Sequence, residues 1–273
     1  MKIQGKVFVV TGGGNGIGRE VVLTLLQKGA RVAAVDLSDE RLAETAAIAK
    51  AGDRLSTHAL NVTDREAVAA LPGRVIAVHK NVDGLFNVAG IIQKFVPIDD
   101  LAIEDIERVM AVNFWGVVYM VKAFLPVLQT RPEASIANVS SMGGFVPVPG
   151  QTAYGASKAA VKLFTEGLAS ELRGTNVKVT VIFPGAIATN ITQNSGVDIP
   201  GGATQADAAA SSHKTTSPAV AAATIIEAVE KGQYRVTVGS DATFLDRLTR
   251  LAPERAMKLI ADQMSDLLKP AKS

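Results

Sequence analysis

The sequence predicts a doubly wound α/β fold, in which a parallel sheet of about seven strands carries helices on both faces. Short β-branched and aromatic runs alternate with longer amphipathic runs along most of the 273 residues. This alternation favours parallel strands and right-handed crossovers, because each helix carries the chain back to the start of the next strand. Glycine-rich or polar motifs follow five of the predicted strands, at the sheet edge where such folds bind ligands.

The boundaries of the elements follow from these runs in chain order. Strands are expected at residues 7–10, 32–35, 55–60, 84–87, 135–139, 178–183 and 235–238. Helices are expected at residues 17–28, 39–51, 64–70, 74–79, 103–128, 153–172 and 218–231. Pro72 separates the two short helices, because proline suits the first turn of a helix better than its interior. The long helix at 103–128 is expected to bend near Asn113.

The chain is expected to form one domain, residues 1–273, with two appended segments. Residues 189–216 are rich in Gly, Ala, Ser and Thr and have the length of a substrate loop. Residues 241–273 read as a C-terminal helical extension, with two helices divided at Pro253. An apolar stripe on the first of them consists of Phe244, Leu245, Leu248 and Leu251. These helices are expected to pack on the protomer or on a neighbouring subunit rather than on a membrane.

Composition excludes several classes of function. There is no cysteine, so disulfides and thiolate chemistry are excluded, which fits a reducing compartment. A formal net charge of +2 is too small to indicate a nucleic-acid partner. The first residues lack a signal-peptide pattern, and no apolar run is expected to span a bilayer, so a cytoplasmic location is predicted. The three histidines, His58, His79 and His213, are far apart, and no metal site is expected.

A glycine-rich turn connects the first predicted strand to the first helix. Gly12, Gly16 and Gly18 give the spacing Gly-x-x-x-Gly-x-Gly, and Asn15 and Ile17 lie between them. Glycine lets the backbone turn sharply and approach a ligand closely. The N–H groups and the dipole at the helix N-terminus favour a pyrophosphate. We therefore expect the phosphates of a dinucleotide to bind here.

Asp36 ends the second strand, about twenty residues beyond the glycine turn, where an acidic side chain binds the adenosine ribose hydroxyls. A carboxylate at this position repels a 2′-phosphate. Asn15 and Leu37 occupy positions where a basic residue would attract that phosphate, and the nearest cation, Arg19, reads as a surface helix residue. NAD is therefore favoured over NADP.

Tyr154 and Lys158 lie four residues apart in a predicted helix, so they share one helix face. A phenol has a pKa of about 10, and a nearby ammonium is expected to lower it. Reaching a pKa of about 7 would take roughly 4 kcal/mol of differential stabilisation. Such a phenol can exchange a proton with an alcohol oxygen, and the hydroxyl of Ser141 can hold the same oxygen.

Together these motifs resemble the short-chain dehydrogenase/reductase family, in its compact single-domain branch. The resemblance implies a Rossmann fold and a catalytic tetrad of Asn113, Ser141, Tyr154 and Lys158, with Asn113 acting through a water. It also implies that Lys158 holds the nicotinamide ribose. Val88 stands where the family has a second asparagine, so the sheet contact of that asparagine is in question.

The resemblance also implies a set of cofactor-binding positions beyond the glycine turn. Asn61 and Val62 are expected beside the adenine. The remaining positions are the second-strand end, the ribose motif, the tyrosine and lysine, and the nicotinamide loop: Asp36, Leu37, Asn87, Ala89, Gly90, Tyr154, Lys158, Pro184, Gly185, Ile187 and Thr189.

The predicted function is NAD-dependent hydride transfer between nicotinamide and an apolar secondary alcohol or ketone. Residues 143–149 and the side chains of Ile91, Ile92 and Phe95 are expected to wall the substrate side, with Gln151 as a polar contact. Two alternatives are an NADPH-linked 3-oxoacyl-thioester reductase and a non-catalytic NAD-binding sensor or scaffold. A homodimer or homotetramer is expected, because the helices at 103–128 and 153–172 have more apolar positions than one face requires.

Overall fold

A parallel sheet of seven strands, in the order β3-β2-β1-β4-β5-β6-β7, lies at the centre of the molecule. The computed structural model describes residues 1–189, 191–197 and 215–264. The strands are β1 Val7–Thr11, β2 Arg31–Asp36, β3 Leu55–Ala59, β4 Gly84–Asn87, β5 Ala134–Val139, β6 Val177–Pro184 and β7 Arg235–Val238. This is the predicted doubly wound Rossmann architecture, and the strand order reverses between β1 and β4.

Helices cover both faces of the sheet. The first five are α1 Gly16–Gln27, α2 Asp39–Ala49, α3 Arg65–His79, α4 Ile103–Met110 and α5 Gly116–Gln129. The others are α6 Thr152–Glu171, α7 Ile191–Ser195, α8 Pro218–Glu230, α9 Ser240–Leu251 and α10 Pro253–Gln263. A π-helical turn, Ala111–Trp115, joins α4 to α5 at the position where a bend is expected from the sequence.

Alternate side chains of β1 enter two separate apolar layers, as the period of a strand requires. Val9 packs in the layer beneath α3, α5 and α6, together with Leu85 and Phe124. Phe8 and Val10 pack in the opposite layer, beneath α1 and α8. Because both faces are covered, the strands are nearly continuous hydrophobic runs, as expected of a buried parallel sheet.

The two short helices predicted on either side of Pro72 are in fact one helix, α3. Proline costs the helix one backbone hydrogen bond, which favours a break at this position. Val68, Leu71 and Val75, however, are buried in the core on both sides of the proline. The packing of this continuous apolar face outweighs the local effect of Pro72.

Residues Ile103–Gln129 form a helix that is long and apolar enough to cross a bilayer by length and composition, contrary to the expectation that no such run exists. In this structure 44 % of its most apolar window is buried. Val117, Met120 and Phe124 supply much of that buried face and pack on the sheet. Core packing therefore accounts for the buried part of this hydropathy.

The C-terminal extension contains the two predicted helices, α9 and α10, which meet at Pro253. Leu245 and Ile260 pack with Val146 in a third apolar cluster, so the extension packs on its own protomer. The predicted stripe on α9 is only partly correct, because Phe244 is 56 % exposed and Leu251 is 86 % exposed. Residues 265–273, and residues 198–214 of the predicted substrate loop, lie outside the described residues.

Candidate active site

A cleft of about 350 Å³ opens at the carboxyl ends of the strands. Most of the predicted site residues line it: Gly12, Asn15, Gly16, Ile17, Gly18, Asp36, Leu37, Asn61, Val62, Ala89, Gly90, Ser141, Tyr154, Pro184, Gly185, Ile187 and Thr189. Three predicted residues, Asn87, Asn113 and Lys158, are buried and do not line the cleft. Sequence motifs that are distant along the chain therefore meet at one edge of the sheet.

The glycine turn leaves no room for side chains on its inner side. Gly12 has a φ of +71°, and a Cβ there would lie 3.0 Å from the backbone nitrogen of Ala89. A Cβ at Gly18 would lie within 2.0 Å of the Gly12 carbonyl oxygen. The Asn15 side chain caps α1 by accepting a hydrogen bond from the Gly16 N–H at 2.6 Å. The N-terminus of α1 is therefore capped by Asn15 and has no side chains on its inner side, which fits the binding of a pyrophosphate.

Asp36 is fixed at the rim of the cleft by two backbone donors. Its Oδ2 accepts from Gly14 N at 3.0 Å and its Oδ1 accepts from Ser38 N at 3.1 Å. Hydrogen bonds from N–H groups to a carboxylate are strong and hold its orientation. The carboxylate is therefore held in one orientation at the rim of the cleft, where it could accept hydrogen bonds from a ribose.

Arg41 lines the same cleft, a residue that the sequence reasoning did not identify. It lies in the first turn of α2, three residues beyond the N-cap Ser38, and a Cβ on Gly14 would approach the Arg41 Cβ to 2.8 Å. Its position in the sequence, five residues beyond Asp36 in the first turn of α2, could have indicated that it lies near the glycine turn. Arg19, in contrast, is engaged with Glu44 at 2.7 Å, in accord with a structural role.

Side chains beneath the cleft connect the central strands. Thr11 Oγ1 accepts from the backbone nitrogens of Val88 and Ala89 at 3.0 and 3.1 Å. In the buried layer, Asn87 Nδ2 donates to Asn138 Oδ1 at 2.8 Å. Asn138 in turn donates to Thr165 Oγ1 on α6 at 3.0 Å. Asn87 and Asn138 thus supply a polar bridge between β4 and β5, although Val88 replaces the second asparagine of the motif.

Ser141 and Tyr154 both line the cleft and lie close together, because a Cβ on Gly143 would lie 3.5 Å from both Ser141 Oγ and Tyr154 Cε1. The turn that carries Ser141 packs closely on α6, because a Cβ at Gly144 would lie 2.9 Å from the Lys158 carbonyl. Ser140 strengthens this approach by donating to the same carbonyl at 2.7 Å. A hydroxyl pair at this position can hold and exchange a proton with an alcohol oxygen.

Burial raises the pKa of Tyr154 above its usual value, and the hydrogen bond from Ser141 opposes that shift. The lowered tyrosine pKa predicted from the sequence is therefore wrong for this structure. The Lys158 Nζ lies 5.9 Å from the centre of the phenol ring and donates to the Val139 carbonyl at 3.1 Å. Burial also lowers the lysine pKa to about 8. Desolvation by burial is the largest cause of the pKa shift in both groups, and it favours the uncharged form of each.

Asn113 is fully buried, and protein groups satisfy its amide on both sides. Its Oδ1 accepts from Ile91 N at 2.9 Å, and its Nδ2 donates to the Ile91 carbonyl at 2.9 Å. The same Nδ2 donates to Ser157 Oγ at 2.9 Å. Asn113 therefore ties the segment after β4 to α6, while the water-mediated role implied by the resemblance stays a prediction.

The predicted nicotinamide loop is held by a residue that the sequence reasoning missed. Asp241, at the start of α9, accepts from the Ala186 N–H at 2.7 Å. A Cβ at Gly185 would lie 2.3 Å from the Asp241 carboxylate, so this carboxylate occupies the space that a side chain at position 185 would need. Thr216 N also donates to the Ala186 carbonyl at 2.9 Å. The C-terminal extension thereby fixes the loop that begins at Pro184.

Only one of the two predicted sides of the apolar substrate wall lines the cleft. Ile91 and Ile92 line the cleft as expected, and Ile191 of α7 joins them. Phe95 does not line this cleft, and neither does any of residues 143–149. Val146 instead packs against the C-terminal helices. The structure also contradicts a substrate contact for Gln151, which is buried and donates to a backbone carbonyl at 2.9 Å.

Two of the histidines expected to be far apart meet at a distance from the cleft. The Ser56 hydroxyl lies 2.9 Å from His58 Nε2 and 2.8 Å from His79 Nε2. Burial, with Arg74 nearby, lowers the pKa of His58 to about 4. His213 lies outside the described residues, and within those that are described no group of three metal-ligating side chains converges.

Comparison with known proteins agrees with this geometry. Residues 6–199 match the family described as short chain dehydrogenase. The Mycobacterium tuberculosis protein SadH, named as an oxidoreductase, is 40 % identical over 265 residues, covering 94 % of this chain and 95 % of SadH. FabG of Thermotoga maritima, a 3-oxoacyl-[acyl-carrier-protein] reductase, is 36 % identical over 194 residues, covering 71 % of this chain and 78 % of its own.

Two crystal structures show the same architecture across the whole molecule. A short chain dehydrogenase from Burkholderia cenocepacia in complex with NADP has a TM-score of 0.78 at 26 % identity, covering 97 % of this chain and 99 % of its own. A relative from Burkholderia phymatum in complex with NAD has a TM-score of 0.82 at 24 % identity, with full coverage of both chains. The chain therefore belongs to the short-chain dehydrogenase/reductase family of oxidoreductases.

Proposed function

We propose that this oxidoreductase is an NAD-dependent dehydrogenase that interconverts an apolar secondary alcohol and its ketone. The observation that carries the proposal is the Ser141–Tyr154 hydroxyl pair at the mouth of the cleft. The pair faces the glycine turn and Asp36, which fit a dinucleotide. The flanking Ile91 and Ile92 favour a substrate without charge near its reacting carbon.

Each residue of the proposed tetrad has a distinct task. Bound nicotinamide supplies the hydride acceptor or donor. In the reduction direction the neutral Tyr154 phenol donates its proton to the carbonyl oxygen; in the oxidation direction the phenolate, formed once the phenol has released that proton, receives the hydroxyl proton. Ser141 Oγ holds the substrate oxygen in place. Lys158 places a positive charge behind the phenol, with a pKa of about 8. Asn113 holds Ile91 and Ser157, and thereby the walls around the pair.

The cofactor preference depends on the balance between Asp36 and Arg41. The fixed carboxylate of Asp36 favours a ribose with free hydroxyls and repels a 2′-phosphate. Arg41 in the same cleft is a cation that could bind that phosphate. The NADP complex of the Burkholderia cenocepacia relative, at 26 % identity, favours the second reading. We favour NAD, because backbone donors hold both Asp36 oxygens in the cleft.

An NADPH-linked reductase of 3-oxoacyl thioesters is the second candidate. Arg41 and the 36 % identity to FabG of Thermotoga maritima favour it. The apolar wall, which Ile191 shares with Ile91 and Ile92, would also suit an acyl chain. A non-catalytic NAD-binding sensor is less supported, because the four tetrad residues are all retained.

Replacing Tyr154 with phenylalanine tests the proposed chemistry. Tyr154→Phe keeps the ring but removes the oxygen that receives the proton, so turnover should fall by about 10²–10⁴-fold. NAD binding should persist, because the glycine turn and Asp36 are unchanged. The reaction is followed by NADH absorbance with a panel of aliphatic, alicyclic and steroid alcohols, and of 3-oxoacyl thioesters with NADPH. Near-normal turnover of Tyr154→Phe with the best substrate would refute the mechanism, and preference for thioesters would select the second candidate.

Cofactor preference can be measured directly as a ratio of kcat/KM values. NAD should exceed NADP by at least about tenfold, or roughly 1.4 kcal/mol, because the Asp36 carboxylate repels the 2′-phosphate. Asp36→Ala should narrow the gap by improving use of NADP. Arg41→Ala is the matched control, and it should reduce NADP use while changing NAD use little. Equal use of both cofactors by the parent protein would contradict the assignment.

Removing the buried charge of Lys158 should stabilise the protein while abolishing function. Lowering the lysine pKa from 10.5 to about 8 corresponds to about 3 kcal/mol of cost. The variant also loses the hydrogen bond to the Val139 carbonyl, which offsets about 1 kcal/mol of this gain in stability. Lys158→Met should therefore be about 2 kcal/mol more stable than the parent at pH 7. Urea unfolding measures this difference.

The sign of the pH dependence follows from proton binding. Between pH 8 and 10.5 the unfolded parent holds the Lys158 proton while the folded parent has lost it, so parent stability rises with pH. The advantage of Lys158→Met should accordingly be full below pH 8 and lost by pH 10.5. Lys162→Met, on the partly exposed side of α6, should show neither effect. A less stable Lys158→Met at pH 7 would overturn the argument.

We also propose that the protein is a homodimer or homotetramer in the cytoplasm, assembled through α4, α5 and α6. Ile103, Trp115 and Leu163 on these helices are 63 %, 47 % and 69 % exposed. Leu163→Glu should shift the assembly toward monomer, because a carboxylate cannot be buried there without a partner. Ile48→Glu, at an equally exposed site on α2, is the control. A parent that is monomeric by light scattering at micromolar concentration would contradict the proposal.

A further inference from the structure

The N-terminus of α6, which carries Tyr154, has no side-chain cap of the usual kind. The N-cap residue, Gln151, makes no side-chain hydrogen bond to the first turn. Tyr154 is the third residue of α6, and its N–H is among the donors that the helix itself leaves unpaired. An N-cap side chain ordinarily accepts from this donor, so another group must satisfy it.

That group is Gln93, from the segment that follows β4. Its Oε1 accepts from the Tyr154 N–H at 2.9 Å, and its Nε2 donates to the Gly150 carbonyl at 2.9 Å. The Gln93 carbonyl accepts from Gln151 Nε2, also at 2.9 Å. Gln93 is completely buried and does not line the cleft, so it is not a substrate contact. Its side chain instead joins the two chain segments on which the catalytic tyrosine depends.

A second series of hydrogen bonds reaches the backbone carbonyl of Tyr154. The Tyr154 carbonyl accepts from Ser157 Oγ at 2.7 Å. Ser157 Oγ accepts from Asn113 Nδ2, and Asn113 holds both the N–H and the carbonyl of Ile91. Ile91 is only two residues before Gln93. The hydrogen bonds therefore close a ring that holds both backbone polar groups of Tyr154.

We propose that Gln93 is a positioning residue, which acts as a tertiary cap on α6 and sets the place of the Tyr154 phenol relative to Ser141. The inference rests on the proposed function, in which the Tyr154 oxygen exchanges the proton. Asn113 at one end of the Ile91–Gln93 segment and Tyr154 at the other are then linked through buried side-chain hydrogen bonds. A displacement of about 1 Å in a reacting group can cost about 10²-fold in rate.

Two substitutions test the contacts of Gln93. Gln93→Met keeps the length of the side chain but removes both its acceptor and its donor. Gln93→Glu is the conservative variant: at this buried site its carboxyl group should stay protonated, accept from the Tyr154 N–H and donate its O–H to the Gly150 carbonyl. Gln151→Met is the matched control, because it removes a hydrogen bond from the same pair of residues and leaves the Tyr154 N–H bonded.

Hydrogen exchange of the Tyr154 amide, followed by NMR, reports the cap without any substrate. Loss of a hydrogen bond worth about 1–1.5 kcal/mol corresponds to about tenfold faster exchange in Gln93→Met. Turnover should fall about 10–100-fold in Gln93→Met, with the Kd for NAD changed less than about twofold. Gln93→Glu and Gln151→Met should retain slow exchange at Tyr154 and most of the turnover.

Unchanged amide exchange in Gln93→Met, or faster exchange with full turnover, would overturn the positioning role. Should Gln93→Met fail to fold, Gln93→Asn replaces it, because its amide is one methylene too short to reach Tyr154 and the same two losses are expected. Failure of the proposed function gives a different result. Tyr154→Phe would then keep its turnover, while the exchange measurement would still report whether Gln93 caps α6.

Discussion

The close approach of the β1 turn to its neighbours determines the shape of the whole cleft. The backbone of Gly12 touches α1 at Gly18 and touches the turn after β4 at Ala89, with no space for a Cβ at either glycine. One helix and two strands are therefore brought together through backbone without side chains. Glycine loses more entropy on folding than other residues, and here that cost gives a helix N-terminus whose N–H groups face the cleft.

Buried polar side chains then fix the neighbouring strands relative to this turn. Thr11 accepts two backbone hydrogen bonds from the β4 turn, and Asn138 joins Asn87 to Thr165 on α6. Such bridges are stable only when nearly every member is paired, because an unpaired buried polar group costs about 1–3 kcal/mol. The cofactor side of the cleft and the helix that carries Tyr154 are thus parts of one buried network.

Features written in consecutive residues were predictable from the sequence, and features made between distant segments were not. The glycine spacing, the end of β2 at Asp36 and the Tyr-x-x-x-Lys pattern each give a local signal. The parallel pairing of the strands follows from the alternation of strands and helices. Gln93 and Asp241 act across 61 and 55 positions of the chain, so no spacing rule indicates them. The break predicted at Pro72 is wrong for the same reason, because packing against distant parts of the chain keeps α3 continuous.

The Tyr154 pKa was mispredicted because charge was considered without burial. An ammonium near a phenol favours the phenolate, yet the low-dielectric surroundings disfavour both charged forms. Burial therefore lowers the lysine pKa to about 8 while it raises that of the tyrosine. Charge alone therefore does not set the Tyr154 pKa. The position of the phenol depends on buried amides, because Asn113 and Gln93 hydrogen-bond the helix that carries Tyr154.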